Sequence, residues 1–145
     1  MSYYRHTEMS TELVPGKYQF IKSENLEKFM RGLGVGYIVR KLANQCRPLV
    51  TITQYGNDVW TMETESVIVT TEIKFEMGQQ FEEITADGRK VMSTLTVTAP
   101  NTVHHEMLGT GGGKDSFCTR EFTEEKMKCV CNVGDIVTTA WYMRV

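Results

Sequence analysis

The stretch Ile136-Val137-Thr138-Thr139-Ala140-Trp141-Tyr142-Met143-Arg144-Val145 decides between two kinds of all-β protein. At the two-residue period of a strand, Thr138, Ala140, Tyr142 and Arg144 share one face. Val137, Thr139, Trp141, Met143 and Val145 share the other, and neither face is cleanly apolar. The same mixture runs through Ser116 to Phe122, where Cys118 and Arg120 share a face. A dry core would not tolerate an inward guanidinium, because an unpaired charge is costly to take out of water. A closed barrel with a wet interior would, since it holds ligand and water as well as packed side chains.

Working back from that strand, 18 Thr and 14 Val favour extended structure. Leu49 to Gln54 and Val59 to Glu65 flank Tyr55-Gly56-Asn57-Asp58, a hairpin signal. Val67 to Glu76 and Gln79 to Thr85 flank Met77-Gly78, and Arg89 to Thr98 follows the turn pair Asp87-Gly88. Thr102 to Leu108, Ser116 to Phe122 and Met127 to Val133 complete the run, and Lys17 to Lys22 precedes it. The sum is ten strands with short connections, hence antiparallel neighbours.

Helix is predicted only between the first two strands. Ser23 is the expected N-cap and Glu24 suits the first turn. Leu26, Phe29, Met30 and Leu33 then recur on one helical face. Gly32, Gly34 and Gly36 turn the chain into a second short helix, with Val35, Val39 and Leu42 inward and Arg40 and Lys41 outward. That helix should stop before Pro48.

The 145 residues suit one domain, and 41% hydrophobic with 23% charged residues excludes wholesale disorder. A net charge of -2 argues against direct nucleic-acid binding. No apolar run approaches the ~20 residues of a membrane-spanning helix, and Met1 to Pro15 lack the apolar core of a secretory signal. Cys46, Cys118, Cys129 and Cys131 are therefore expected to stay free thiols. Cys129-x-Cys131 lacks a second Cys or His pair at zinc spacing, so no metal and no cofactor is expected.

The order strand, two helices, nine strands resembles the intracellular lipid-binding proteins, the fatty-acid-binding and cellular retinoid-binding family. The resemblance rests on Gly16-Lys17-Tyr18-Gln19-Phe20, on Ser23-Glu24-Asn25-Leu26-Glu27-Lys28-Phe29-Met30, and on Gly34-Val35-Gly36. It continues through Thr71-Glu72-Ile73-Lys74-Phe75, Gly78-Gln79-Gln80-Phe81-Glu82-Glu83, Thr85-Ala86-Asp87-Gly88-Arg89-Lys90-Val91 and Arg120-Glu121. It spans residues 16–145 and leaves 1–15 as a flexible extension, in which Tyr3, Tyr4 and His6 stand out and Met9 is an alternative start. The fold it implies is mainly β: a ten-stranded antiparallel β-barrel with a two-helix lid between strands 1 and 2.

The function it implies is that of a non-enzymatic, monomeric carrier of long-chain fatty acids. Arg120 falls on a family arginine that binds the ligand carboxylate, and Tyr142 on the tyrosine that completes the contact. Ala140 stands where a second arginine belongs, which opens the alternative of a neutral lipid signal, such as an acylethanolamide, or a retinoid. The implied pocket has Phe29, Met30 and Val35 on the lid, and Pro48, Ser66, Ile68, Ala86, Asp87 and Arg89 at the portal. Cys129, Cys131 and Ala140 form its far wall. Leu26 and Ile68 replace aromatics usual in the family.

Two local readings stay open. Glu106 either lies on the outer face or turns inward and neutralises Arg120, which would suit a neutral head group. Arg31, Arg40 and Lys41 match a nuclear-import patch of some members, implying delivery to a nuclear receptor. Their alternatives are plain solvation of the helices and steering to anionic membranes. The expected location is the cytoplasm, and the nucleus as well if the patch serves import. His104-His105 point to opposite faces of a strand, and Gly111-Gly112-Gly113 lacks the rest of a phosphate loop, so no enzyme is expected.

Overall fold

Turns cut the chain where its strand alternation stops. A computed structural model describes residues 10–145; the expectations for Met1 to Met9 lie outside the described residues. β1 (Gly16–Glu24) leads to α1 (Leu26–Leu33) and α2 (Tyr37–Ala43), and the rest is strand. These are β2 (Leu49–Tyr55), β3 (Val59–Glu65), β4 (Thr70–Glu76), β5 (Phe81–Ile84) and β6 (Lys90–Ala99). β7 (Thr102–Gly109), β8 (Ser116–Phe122), β9 (Lys126–Val133) and β10 (Ile136–Arg144) follow. Ten strands with both helices between the first two is the expected architecture.

Every pairing is antiparallel, in the order β4-β3-β2-β1-β10-β9-β8-β7-β6-β5. The sheet closes because β1 pairs with β2 through Gly16–Gln19 and with β10 through Tyr18–Glu24. A register shift between Phe20 and Lys22 bends it from one neighbour to the other. β4 and β5 are left as the two edges. The seam between them is spanned by the stacked rings of Phe75 and Phe81, 5.9 Å apart. Nearby, the Gly78 N–H donates to the Leu95 carbonyl at 2.7 Å.

Several boundaries move for identifiable reasons. Ser23 is not a cap: it pairs with Ala140 inside β1, whose ladder runs two residues past the expected end. Asn25 precedes α1 instead, in the left-handed conformation (φ 62°) that Asn tolerates, with its side-chain amide donating to the Val137 carbonyl at 2.8 Å. Val67 to Val69 are not strand, because the Ser66 hydroxyl accepts from the Ile68 and Val69 N–H groups and makes a turn. In α2, Val39 and Leu42 are exposed and no residue is buried. α1 takes the space against β9 and β10, with Phe29 and Met30 buried. Arg40, expected outward, turns back to Glu27 at 2.8 Å and donates to the Val35 carbonyl.

Three clusters fill the interior. Tyr18, Trp60, Phe75, Leu95 and Phe122 belong to the first, away from the helices. Phe29, Met30, Val35 and Val133 lie under the lid, and Val91, Met107, Cys118 and Cys129 form a third. Ser10 to Pro15 belong to the folded body as well. Val14 is 1% exposed, and the Tyr18 hydroxyl donates to its carbonyl at 2.8 Å. The Arg144 guanidinium donates to the carbonyls of Leu13, Pro15, Thr123 and Glu124 at 2.6–3.0 Å. It also lies 4.8 Å from the Tyr18 ring.

Charged donors to four carbonyls make Arg144 the tie between the chain's two ends. Arg144→Ala should lower the unfolding free energy by about 2 kcal/mol, against roughly 0.5 kcal/mol for an ordinary surface change. Urea midpoints of the two proteins measure it. Equal midpoints would show that the 10–15 segment is held without Arg144.

Candidate functional site

Alternation along five strands turns a mixed set of side chains into one interior wall. β8 contributes Ser116, Cys118 and Phe122, buried, together with Arg120. β7 contributes Val103, His105 and Met107, and β9 contributes Met127 and Cys129. Arg120 stands opposite Cys129, which stands opposite Ala140, so the three form a row across β8, β9 and β10. Tyr142 faces Met127 across β9 and packs edge-on against Phe20 of β1, ring centres 5.6 Å apart.

The guanidinium does not stand alone. Arg120 Nη1 donates to His105 Nδ1 at 3.2 Å, and His105 Nε2 donates to Glu83 Oε1 at 2.9 Å. The Ser93 hydroxyl donates to the same oxygen at 2.7 Å. This places the imidazole proton on Nε2, since Nδ1 must accept. His105 is 1% exposed and Ser93 0%. Burial pushes the Glu83 carboxyl up, but His105, through its hydrogen bond and through its charge whenever it is protonated, then the Ser93 bond and the charge of Arg120 outweigh it and hold it below the usual range. His105 is held below an ordinary histidine, chiefly by burial and then by Arg120, against the pull of Glu83. A cation, a neutral imidazole and a carboxylate therefore sum to zero charge inside the barrel.

That arrangement chooses between the two readings of Glu106. Val103, His105 and Met107 are the buried residues of β7, so the alternation sends Glu106 to the outer face and Glu83 is the interior acid. His105 was legible from its apolar neighbours two positions away on either side; Glu83, between Phe81 and Thr85, carried a weaker form of the same signal. His104 points outward as expected, against Thr119 Oγ1 and the Phe117 ring. Burial pushes the Tyr142 hydroxyl far above an ordinary tyrosine, with a further push from Cys129 and opposition from Arg120, so it stays a donor.

The cysteine expectation is corrected. Cys118 and Cys131 stand directly opposite on β8 and β9, Cα atoms 4.0 Å apart, and are joined in a disulfide. Cys46 and Cys129 are free. Cys129 Sγ lies 3.5 Å from Cys131 Sγ, so three sulfurs share the wall beside Ala140 and Tyr142.

The other expected pocket residues fall in separate places. Phe29, Met30 and Val35 pack under the lid on Val133, with Cys131 beside them. Pro48 anchors the start of β2, its carbonyl accepting from the Phe20 N–H at 3.0 Å. Ser66 shapes its own turn and Ile68 is exposed there, as Ala86 is in the β5–β6 turn. Asp87 and Arg89 pair at 2.6 Å, with the Thr85 hydroxyl on Asp87 at 2.8 Å. A void of about 10 Å3, the size of one water, lies between Arg120 and side chains including Trp60, Leu95 and Phe122. On the lid, Arg31 and Arg40 approach the same Glu27 oxygen, at 3.5 and 2.8 Å. Lys41 lies 5.5 Å from the Tyr37 ring. Among the described residues no helix is long and apolar enough to cross a membrane.

A nearly closed antiparallel barrel, lidded by two helices and carrying an interior cation beside a protonated tyrosine, is the frame of an intracellular lipid-binding protein. Residues 15–138 match the Lipocalin / cytosolic fatty-acid binding protein family, and the chain belongs to it. It is 37% identical over 130 residues to human Fatty acid-binding protein 9, covering 90% of this chain and 96% of the relative. The muscle fatty acid-binding protein of Schistocerca gregaria is 34% identical, covering 92% and 98%. Among solved structures, a Schistosoma mansoni fatty acid binding protein in complex with arachidonic acid superposes with a TM-score of 0.89 at 30% identity. That match covers 94% of this chain and 98% of the other.

Two measurements check this wall. Thiol titration of the unfolded, unreduced protein should count two thiols, and four after reduction; the disulfide closes a separation of 13 residues, so reduction should cost about 3 kcal/mol of stability. For His105, the unfolded chain takes a proton near pH 6.5 and the folded one only at lower pH. The unfolded state then binds more protons, so stability falls as pH drops below about 6.5. His105→Gln should flatten that part of the curve, leaving the acid losses from Glu83 and Asp87 below the carboxylate range.

Proposed function

We propose that this chain is a non-enzymatic carrier of long-chain fatty acids, held inside the barrel with the carboxylate at Arg120 and Tyr142. The observation that carries the reading is the interior position of Arg120, whose remaining guanidinium donors sit in a region enclosed by apolar side chains. A carboxylate accepts two parallel bonds from an arginine and a third from a tyrosine hydroxyl. Most of the affinity comes from the tail, at ~0.8 kcal/mol per buried methylene. The fatty-acid-binding relatives and the neighbour solved with arachidonic acid support the same ligand class.

The walls give way where they are unbranched. Met62 and Met77 border the void beside Arg120, and thioether side chains repack around a tail at little cost. The exposed Ile68 and Ala86 mark the two turns through which a tail passes. Arg31 and Lys41 stay exposed on the lid, where they serve transient contact with an anionic membrane or a nuclear receptor; Arg40, bound to Glu27 and Val35, contributes less. We place the carrier in the cytoplasm as a monomer, with no nucleic-acid partner.

A second reading has its own observation. Ala140 removes one cation, and Glu83 already balances the other through His105, so a neutral amide or alcohol head would meet no excess charge. Titrating delipidated protein with oleic acid and with oleoylethanolamide separates the two. Under the acid reading oleate binds tighter. Arg120→Gln and Tyr142→Phe then each weaken oleate about tenfold to a hundredfold and leave the amide nearly unchanged. An amide that binds as tightly, indifferent to Arg120→Gln, would overturn it in favour of a neutral lipid.

A further inference from the structure

We propose that a fatty-acid carboxylate binding at Arg120 draws a proton from solvent onto His105 Nδ1, so that acid ligands are gripped harder as pH falls and neutral lipids are not. The inference rests on the carrier reading above and adds the residue that sets its charge preference.

Ser93, Glu83, His105 and Arg120 form one chain of hydrogen bonds. Ser93 and His105 Nε2 donate to Glu83, and Arg120 donates to His105 Nδ1. The charges of Arg120 and Glu83 cancel across the imidazole. A carboxylate arriving at Arg120 disturbs this twice. It adds a negative charge to a site that already sums to zero. Gripped in parallel by Nη1 and Nη2, it also turns the guanidinium so that Nη1 leaves Nδ1, and a buried lone pair is left with no partner. One proton repairs both. On Nδ1 it restores neutrality and turns the orphaned acceptor into a donor aimed at the side from which the carboxylate has come. The proton comes from bulk water and no electrons move.

The surroundings leave His105 as the group that responds. Glu83 of β5 faces Nε2 and already accepts two hydrogen bonds. Arg120 of β8 faces Nδ1 as a donor. Cys118, opposite His105 on β8, is in the disulfide, and Leu95, opposite on β6, is apolar. Beyond Arg120 stand the Tyr142 hydroxyl and the Cys129 thiol, and the first titrates far above neutral. His104 is on the same strand but the opposite face. Burial and the Arg120 charge hold His105 below an ordinary histidine against the pull of Glu83, so it has a proton to gain.

A neutral head group adds no charge and leaves the balance as it was. Binding of oleate should therefore carry proton uptake of about half to one proton per site near neutral pH. The acid's affinity should rise by up to tenfold for each unit the pH falls through the working range of His105.

Isothermal titration at pH 7.4 in phosphate and in Tris, whose ionisation heats differ, counts the protons taken up. The parent should take up protons with oleate and close to none with oleoylethanolamide. His105→Gln should abolish the excess with oleate; protons taken by the acid itself are common to both proteins and cancel in the difference. In the unmutated protein, the His105 ring proton resonance followed by NMR should move from the neutral to the charged position when oleate is added. Equal uptake by parent and His105→Gln, or a resonance that stays neutral in the complex, overturns the proposal while leaving the carrier reading intact. Failure of oleate to bind at all overturns both.

Discussion

A ten-stranded sheet can hide its inner face only by curling onto itself, and here the double pairing of β1 makes it do so. Its first half runs along β2 and its second along β10, with the bend between Phe20 and Lys22 turning it from one to the other. Tyr18 lies at the start of this strand, fully buried, with its hydroxyl on the Leu13 and Val14 carbonyls. Arg144 at the far end of β10 fixes the same segment from the other side. Once the ends are tied, whatever side chains point inward are enclosed together, whether or not they are apolar.

Enclosure is what gives the interior charges their meaning. On an open sheet Arg120 and Glu83 would each be solvated and indifferent to one another. Inside the barrel they sit on β8 and β5, and one imidazole from β7 joins them. A charge in such a place must be balanced or neutralised. The protein does this with its own acid, so the interior site is electrically complete by itself.

The architecture was readable because strands declare themselves by alternation and turn residues, and those signals are local. All ten strands and both helices stand where the sequence predicts, within a few residues. What escaped were features set by partners far along the chain. Ser23 looked like a cap because its pairing with Ala140 lies more than a hundred residues away. Arg40 looked like a solvated face until Glu27 on the neighbouring helix engaged it. Cys118 and Cys131 were expected to stay reduced, and only the β8–β9 register sets them opposite. Whether Glu106 balances Arg120 stayed open in the sequence, and parity along β7 selects His105 and through it Glu83. Arg120 was legible in the sequence as an interior cation; the acid that balances it required the rolled sheet.

The seam between β4 and β5 leaves two rows of backbone donors and acceptors that no strand of the chain pairs among the described residues. Such edges invite a second copy to dock and extend the sheet from molecule to molecule. Here the invitation is poor. β5 is only four residues long, too short for a stable ladder. The outward side chains nearby, Glu72, Glu76 and Glu82 with Lys74 among them, are exposed and predominantly acidic. Two molecules meeting edge to edge would bring like charges together, so the unpaired seam does not become a route to polymerisation.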